Sequence, residues 1–187
     1  GEMEENKIDS KNNISVVRQN VLIKVDDMAK YKDGYVTVKT INKTKSKVIF
    51  YDNLWKEFRS FEVKSNGKLR VAIGDIVNDG NLEIILSPAG KDKNVLRVFD
   101  GNGKELDRFD IDTAHEGVNF ALLDVNNGKK EIAAVYRYKG KVKFHHFDKD
   151  LNLVCFTDLD FIKKTGQIAS GDIDGDGAQD LIVVAGD

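Results

Sequence analysis

Apolar and polar residues alternate along this chain in short runs, not in helical stripes. Leu69 to Ile73 is apolar apart from Arg70, Glu83 to Leu86 is apolar after its first residue, and Val95 to Phe99 is interrupted only by Arg97. Leu106-Asp107-Arg108-Phe109-Asp110 is more polar and suits a strand at an outer edge. Asp-Gly and Asn-Gly pairs separate most of these runs, as at Asp79-Gly80 and Asp100-Gly101-Asn102-Gly103. Short apolar runs bounded by such residues predict β-strands joined by tight turns. No helix of any length is predicted, although Asp158 to Lys164 has room for one short turn.

The runs recur. Tyr35 through Asp52, Glu83 through Asp100 and Glu131 through Asp148 align without a gap, each closing on an Asp 17 positions after its opening residue. Their opening residues lie 48 apart (83 − 35 and 131 − 83), and a fourth copy opens at Asp180-Leu181-Ile182-Val183, 49 after Glu131. Four strands in a unit of this length match a β-propeller blade, which buries its two faces by stacking against neighbours. A β-sandwich is the competing all-β reading, but it requires no fixed period.

The predicted architecture is therefore all-β, a propeller of four-stranded blades. Its units are about 19–66, 67–114, 115–163 and a partial 164–187, preceded by a polar leader over 1–18. Four such units nearly fill the 187 residues, which favours a four-bladed ring. The last unit holds only two strands, Ile168 to Asp172 and Asp180 to Val184, so the leader, for example Asn13 to Arg18, is expected to supply a closing strand. The alternatives are a piece of a larger ring, or two copies of the chain that complete one another.

The loop between the first two strands of the last unit reads Asp172-Ile173-Asp174-Gly175-Asp176-Gly177-Ala178-Gln179-Asp180. Carboxylates at alternate positions of a tight loop point at one centre. Gly177 permits the turn that brings Asp180 round, and the Ala178 carbonyl fills the remaining gap. Hard divalent cations seek such oxygen-only sets. Without a cation the four carboxylates repel one another. The lack of Cys or His favours calcium over zinc or copper. The equivalent loop of the second unit keeps Asp75, Asp79, Asn81 and Glu83 but has Val77 at the third position, so it predicts a weaker site. The third loop, Asp124-Val125-Asn126-Asn127-Gly128-Lys129-Lys130-Glu131, exchanges carboxylate for amide and adds two lysines, which argues against tight calcium. Around Asp26-Asp27 and Asp33-Gly34 the first copy has no legible loop. Plain Asx-Gly turns are the competing reading of all four.

Gly171-Asp172-Ile173-Asp174-Gly175-Asp176-Gly177 followed by Asp180-Leu181-Ile182-Val183 resembles the FG-GAP repeat, also described as the VCBS-type repeat, of integrin α-chain propellers and bacterial surface proteins. Ile73-Gly74-Asp75-Ile76 through Glu83-Ile84-Ile85, with Arg97-Val98-Phe99-Asp100-Gly101 behind it, is a second match. The resemblance spans roughly 35–187. It implies a β-propeller with calcium between a blade's first and second strands, and adhesion or recognition of a protein or glycan ligand on a secreted or cell-surface protein. An accessory domain of a surface enzyme such as a polysaccharide lyase or peptidase, and a structural spacer without a ligand, remain open beside it.

Composition narrows the chemistry. Lys and Arg total 29 against 31 Asp and Glu, which gives no basic excess for nucleic acid. No apolar run approaches the length of a membrane span, and no signal-peptide pattern stands at the start. The single cysteine, Cys155, makes no internal disulfide and no cysteine cluster. His145 and His146 are adjacent on a predicted strand and so face opposite sides. His115 sits in a connecting loop. Trp55, Phe58 and Phe61 read as packing residues of an outer strand, with sugar or protein binding at Trp55 as the minor reading. No nucleophile elbow, phosphate loop or dinucleotide turn occurs, and the chain is read as non-catalytic.

Overall fold

The computed structural model describes residues 4–5, 17–18, 24–90, 93, 95–111, 117–125, 129–148, 150–164 and 166–185. The described chain is all-β. A short pair, β1 (Glu4–Glu5) and β2 (Val17–Arg18), precedes three antiparallel meanders. Blade 1 is β3 (Asp27–Tyr31), β4 (Gly34–Asn42), β5 (Lys45–Tyr51) and β6 (Glu57–Lys64). Blade 2 is β7 (Leu69–Gly74), β8 (Glu83–Pro88), β9 (Val95–Phe99) and β10 (Glu105–Asp110). Blade 3 is β11 (Val118–Val125), β12 (Lys129–Tyr138), β13 (Lys141–Phe147) and β14 (Leu153–Asp158). Blade 4 has two strands, β15 (Gln167–Gly171) and β16 (Asp180–Val184). β2 pairs with β1, and Asn13 to Val16 of the expected closing strand lie outside the described residues.

The first strands β3, β7, β11 and β15 lie side by side and form the inner rank of the blades. Successive residues of a strand point to opposite faces, so each second strand serves two neighbours. Ile84 and Leu86 of β8 join Val36, Val38, Val48 and Phe50 in the core between blades 1 and 2. Ile85, between them, joins Val118, Ile132, Ala134 and Tyr136 in the core between blades 2 and 3. Val135 of β12 turns the other way and packs with Val142, Ile162, Ile168 and Val183 toward blade 4. Burying one such aliphatic side chain contributes roughly 1.5–3 kcal/mol, so the blade interfaces are the main source of stability. Beyond the third core the apolar cover ends: Ile182 and Val184 of β16 are exposed.

One turn closes the β5–β6, β9–β10 and β13–β14 hairpins in the same way. The Asp52 carboxylate accepts from the N–H groups of Leu54 and Lys56 at 2.9 Å. Asp100 accepts likewise from Asn102 at 2.8 Å and Lys104 at 2.9 Å, and Asp148 from Asp150 at 2.9 Å and Asn152 at 2.8 Å. The residue three after each Asp has positive φ: Trp55 at 61°, Gly103 at 87° and Leu151 at 62°. Trp55 therefore belongs to this turn and not to the outer strand, while Phe58 and Phe61 lie on β6 as expected. Its indole stacks flat on Tyr35, with ring centroids 4.7 Å apart. Asp148→Ala is expected to lower stability by about 1–2 kcal/mol through the lost hydrogen bonds from Asp150 and Asn152, measured as a reduced urea midpoint with an unchanged slope.

His145 and His146 do face opposite ways, and each has a partner. The His145 ring lies edge-on to Tyr136, Phe147 and Phe156 and meets the Tyr136 hydroxyl at 3.0 Å. His146 pairs with Glu131. Cys155 is exposed on β14, and His115 lies outside the described residues. Asp158, at the end of β14, accepts from the ammonium groups of Lys141 at 2.8 Å and Lys143 at 2.7 Å. These hydrogen bonds, Lys141 first, hold its carboxyl down to about 2 from the usual 3.8. Any stability it confers is thus present above its unfolded value and lost as pH falls through about 2. A carboxyl-detected NMR titration is expected to place Asp158 well below the usual aspartate range. An ordinary midpoint for Asp158 contradicts the arrangement.

Candidate metal centre

The loop after β15 is held by its own carboxylates. Asp172 accepts from the N–H groups of Gly175 at 2.7 Å and Gly177 at 3.0 Å. Asp174 accepts from Asp176 at 3.1 Å, Asp176 from Ala178 at 2.8 Å, and Asp180 reaches back to Ile173 at 3.0 Å. Gly175 and Gly177, at φ of 79° and 88°, supply the two left-handed positions that fold the chain around this centre. One carboxylate oxygen each from Asp172, Asp174 and Asp176 lies within 4.8 Å of the other two, and all three residues are exposed. Asp174, Asp176 and Asp180 each accept a backbone N–H through one carboxylate oxygen. The donor set is oxygen-only, and the gathered like charges favour a cation among them. Asp172, Asp174 and Asp176 are thus the gathered part of the expected set, while Asp180 closes the loop through Ile173.

The loop after β7, 97 residues earlier, is held by a similar but not identical set of bonds. Asp75 accepts from Asp79 at 3.1 Å and Gly80 at 3.0 Å, Asp79 accepts from Asn81 at 2.8 Å, and Glu83 accepts from Ile76 at 2.8 Å and Val77 at 3.2 Å. Asn78 and Gly80, at φ of 57° and 83°, stand where Gly175 and Gly177 do. The difference is at the third position, where exposed Val77 replaces Asp174. Glu83 is also buried, and desolvation, helped by Asp79 and Asp75, raises its carboxyl above the usual range. The Asn81 amide donates to Asp79 and shapes the turn. Among the described residues only the Asp172 loop gathers three metal-ligating groups.

The other two units carry different solutions. In blade 3 the Lys130 ammonium sits on Asp124 at 2.6 Å, so the chain supplies its own cation there. Asn126 to Gly128 of that loop lie outside the described residues. In blade 1 the loop shrinks to Lys32-Asp33, and Tyr35 takes the place of the acid found at Glu83, Glu131 and Asp180.

The opposite end of the inner strands carries a polar cluster that sequence reasoning did not assemble. Asp27 accepts from the Val71 N–H at 2.9 Å, joining blade 1 to blade 2. Arg70 donates to the Pro88 and Val118 carbonyls at 3.3 and 3.4 Å, joining blade 2 to blade 3. Asn119 donates to the Gly166 carbonyl at 2.5 Å, joining blade 3 to blade 4. The signal was present, since Arg70 and Asn119 are each a polar residue at the second position of an inner strand.

No known family matches the sequence, and no curated protein matches it. Solved structures do match in fold. The Dos1 propeller superposes with a TM-score of 0.57 at 10% identity, over 79% of this chain and 40% of that one. Rhamnogalacturonan lyase YesW superposes with a TM-score of 0.57 at 12% identity, over 80% of this chain and 37% of that one. The chain is thus a β-propeller-type structure that spans about two fifths of the length of either. At such identities the likeness concerns the fold alone.

Proposed function

We propose that this chain is a calcium-stabilised, non-catalytic binding module of the FG-GAP or VCBS type, from a secreted or cell-surface protein that recognises a protein or glycan. The observation that carries the reading is the convergence of Asp172, Asp174 and Asp176 in a loop closed by Asp180. Calcium there neutralises the four carboxylates and ties the first strand of a blade to its second. Titration calorimetry is expected to find one calcium site that Asp174→Ala with Asp176→Ala removes. An absence of calcium binding overturns the metal assignment. Screening against glycan and cell-surface protein arrays in calcium tests recognition, and blank arrays favour a structural spacer. A second reading, an accessory domain of a surface enzyme, draws support from the fold likeness to a rhamnogalacturonan lyase.

A further inference from the structure

The face opposite the acidic loops holds a cavity of about 280 Å³ lined by residues from the inner strands of all four blades or their approaches, among them Asp26, Asp27, Arg70, Asn119, Phe120 and Gln167. Its polar groups are incompletely used. Arg70 is half-buried, and both of its hydrogen bonds come from one terminal nitrogen and are long, at 3.3 and 3.4 Å. Nε and the other terminal nitrogen donate to no described residue. Asn119 is 7% exposed; its Nδ2 is committed to Gly166, while Oδ1 is buried without a donor. That amide orientation follows from the Gly166 bond, since the flipped form places two oxygens together. Asp26 accepts from Thr40 through Oδ2 alone, which leaves Oδ1 open, whereas both Asp27 oxygens are engaged, by Met28 and Val71.

Buried polar groups left unpaired are costly, and such groups are as a rule satisfied. Among the groups lining the cavity, Asn119 Oδ1 is such a buried unpaired atom, and the half-buried Arg70 and Asp26 add unused donors of a cation and an unused oxygen of an anion. Burial disfavours the charged form of Arg70, and the Asp27 carboxylate offsets this in part. A simple anion satisfies the guanidinium but meets Asp26 and Asp27. A simple cation satisfies Asp26 but meets Arg70. A ligand with a carboxylate and a neighbouring ammonium answers both, and a cavity of this size holds little more than one small molecule.

We infer that this cavity is a binding site for a free α-amino acid, its carboxylate on Arg70 and its ammonium against Asn119 Oδ1 and Asp26. The inference deepens the reading of the chain as a binding module and is independent of calcium. The test is a ¹H–¹⁵N NMR titration of the whole chain, following the Arg70 Nε–H and Asn119 amide signals. The probes are alanine, serine, N-acetylalanine, alanine methyl ester and glucose. Alanine or serine is expected to shift both signals, with the acetyl and ester forms weaker by at least about tenfold, as for a lost hydrogen bond to a charged group. Arg70→Met is expected to abolish the effect. Should it fail to fold, Gln167→Trp, which fills the mouth from an exposed position, is expected to do the same. The proposal is overturned if no amino acid shifts these signals, if N-acetylalanine or glucose binds as well as alanine, or if a folded Arg70→Met or Gln167→Trp retains binding. Failure here alongside array hits that Arg70→Met leaves intact removes this cavity and keeps the binding-module reading. Blank arrays alongside amino-acid binding do the reverse.

Discussion

Calcium at a hundredfold excess over its dissociation constant is expected to stabilise the folded chain by about 2.7 kcal/mol. For a domain of this size that is a rise in melting temperature of roughly 5–10 °C. The measurement is a thermal melt in calcium against a melt in chelator. The Asp174→Ala, Asp176→Ala variant is expected to lose the whole calcium-dependent increment. It also loses the caps on the N–H groups of Asp176 and Ala178, so its melt in chelator lies slightly lower. The diagnostic quantity is therefore the difference between the two melts of one variant. A double variant that keeps the full shift excludes the Asp172 loop as the site. Asp79→Ala, in the loop with Val77 at the third position, is expected to leave the shift nearly unchanged.

Gly34→Ala is expected to cost at least about 4 kcal/mol, in the range where few single substitutions fall. Gly34 opens β4 directly after the Lys32-Asp33 turn, paired with Tyr31. A Cβ there lies 1.9 Å from the Tyr51 carbonyl oxygen and 2.9 Å from its carbon. Both are backbone atoms of β5, which is held on both sides by β4 and β6. Relief thus requires the sheet to move rather than a side chain to turn. The check is the urea midpoint, with loss of the Tyr31–Phe50 and Tyr35–Trp55 ring-current shifts as the local signature. Gly80→Ala is the control: nothing lies within 4 Å of its Cβ, so it meets only the strain of its left-handed backbone. A Gly34→Ala protein as stable as that control contradicts the packing.

The blades were legible because the same physical demands recur at one spacing. Each second strand must be apolar on both faces, and each third strand must end on the Asp that closes its hairpin. The Asp172 loop was legible for a similar reason, since loop-closing acids and glycines occupy fixed positions. The bonding shows that these residues fold the loop as well as offering oxygens, a purpose that a cation-centred reading of the string leaves out. Blade 1 was not legible at its first strand because its loop is reduced to two residues and Tyr35 replaces the acid, so nothing remained to align. The expected closing role of the leader was an inference from a missing partner; of Asn13 to Arg18 only Val17–Arg18 is described, paired with Glu4–Glu5. Asp27, Arg70 and Asn119 were missed because their common act is to bond to the next blade's backbone, a relation that spans blades and leaves one polar letter per strand.

The matched Asp turns bear on how the chain finds its pairing. In a sheet with one wet face, a one-residue slip throws the apolar set into solvent and is strongly penalised. In β8 a slip merely exchanges Ile84 and Leu86 for Ile85, one greasy face for another, and hydrophobicity scarcely notices. Something else must index the strands. Asp52, Asp100 and Asp148 do so, because each grips two amide groups at fixed offsets and so sets the alignment of the third strand on the fourth. These half-buried carboxylates are the molecule's alignment pins, and fidelity of assembly, more than tightness of packing, is what they confer.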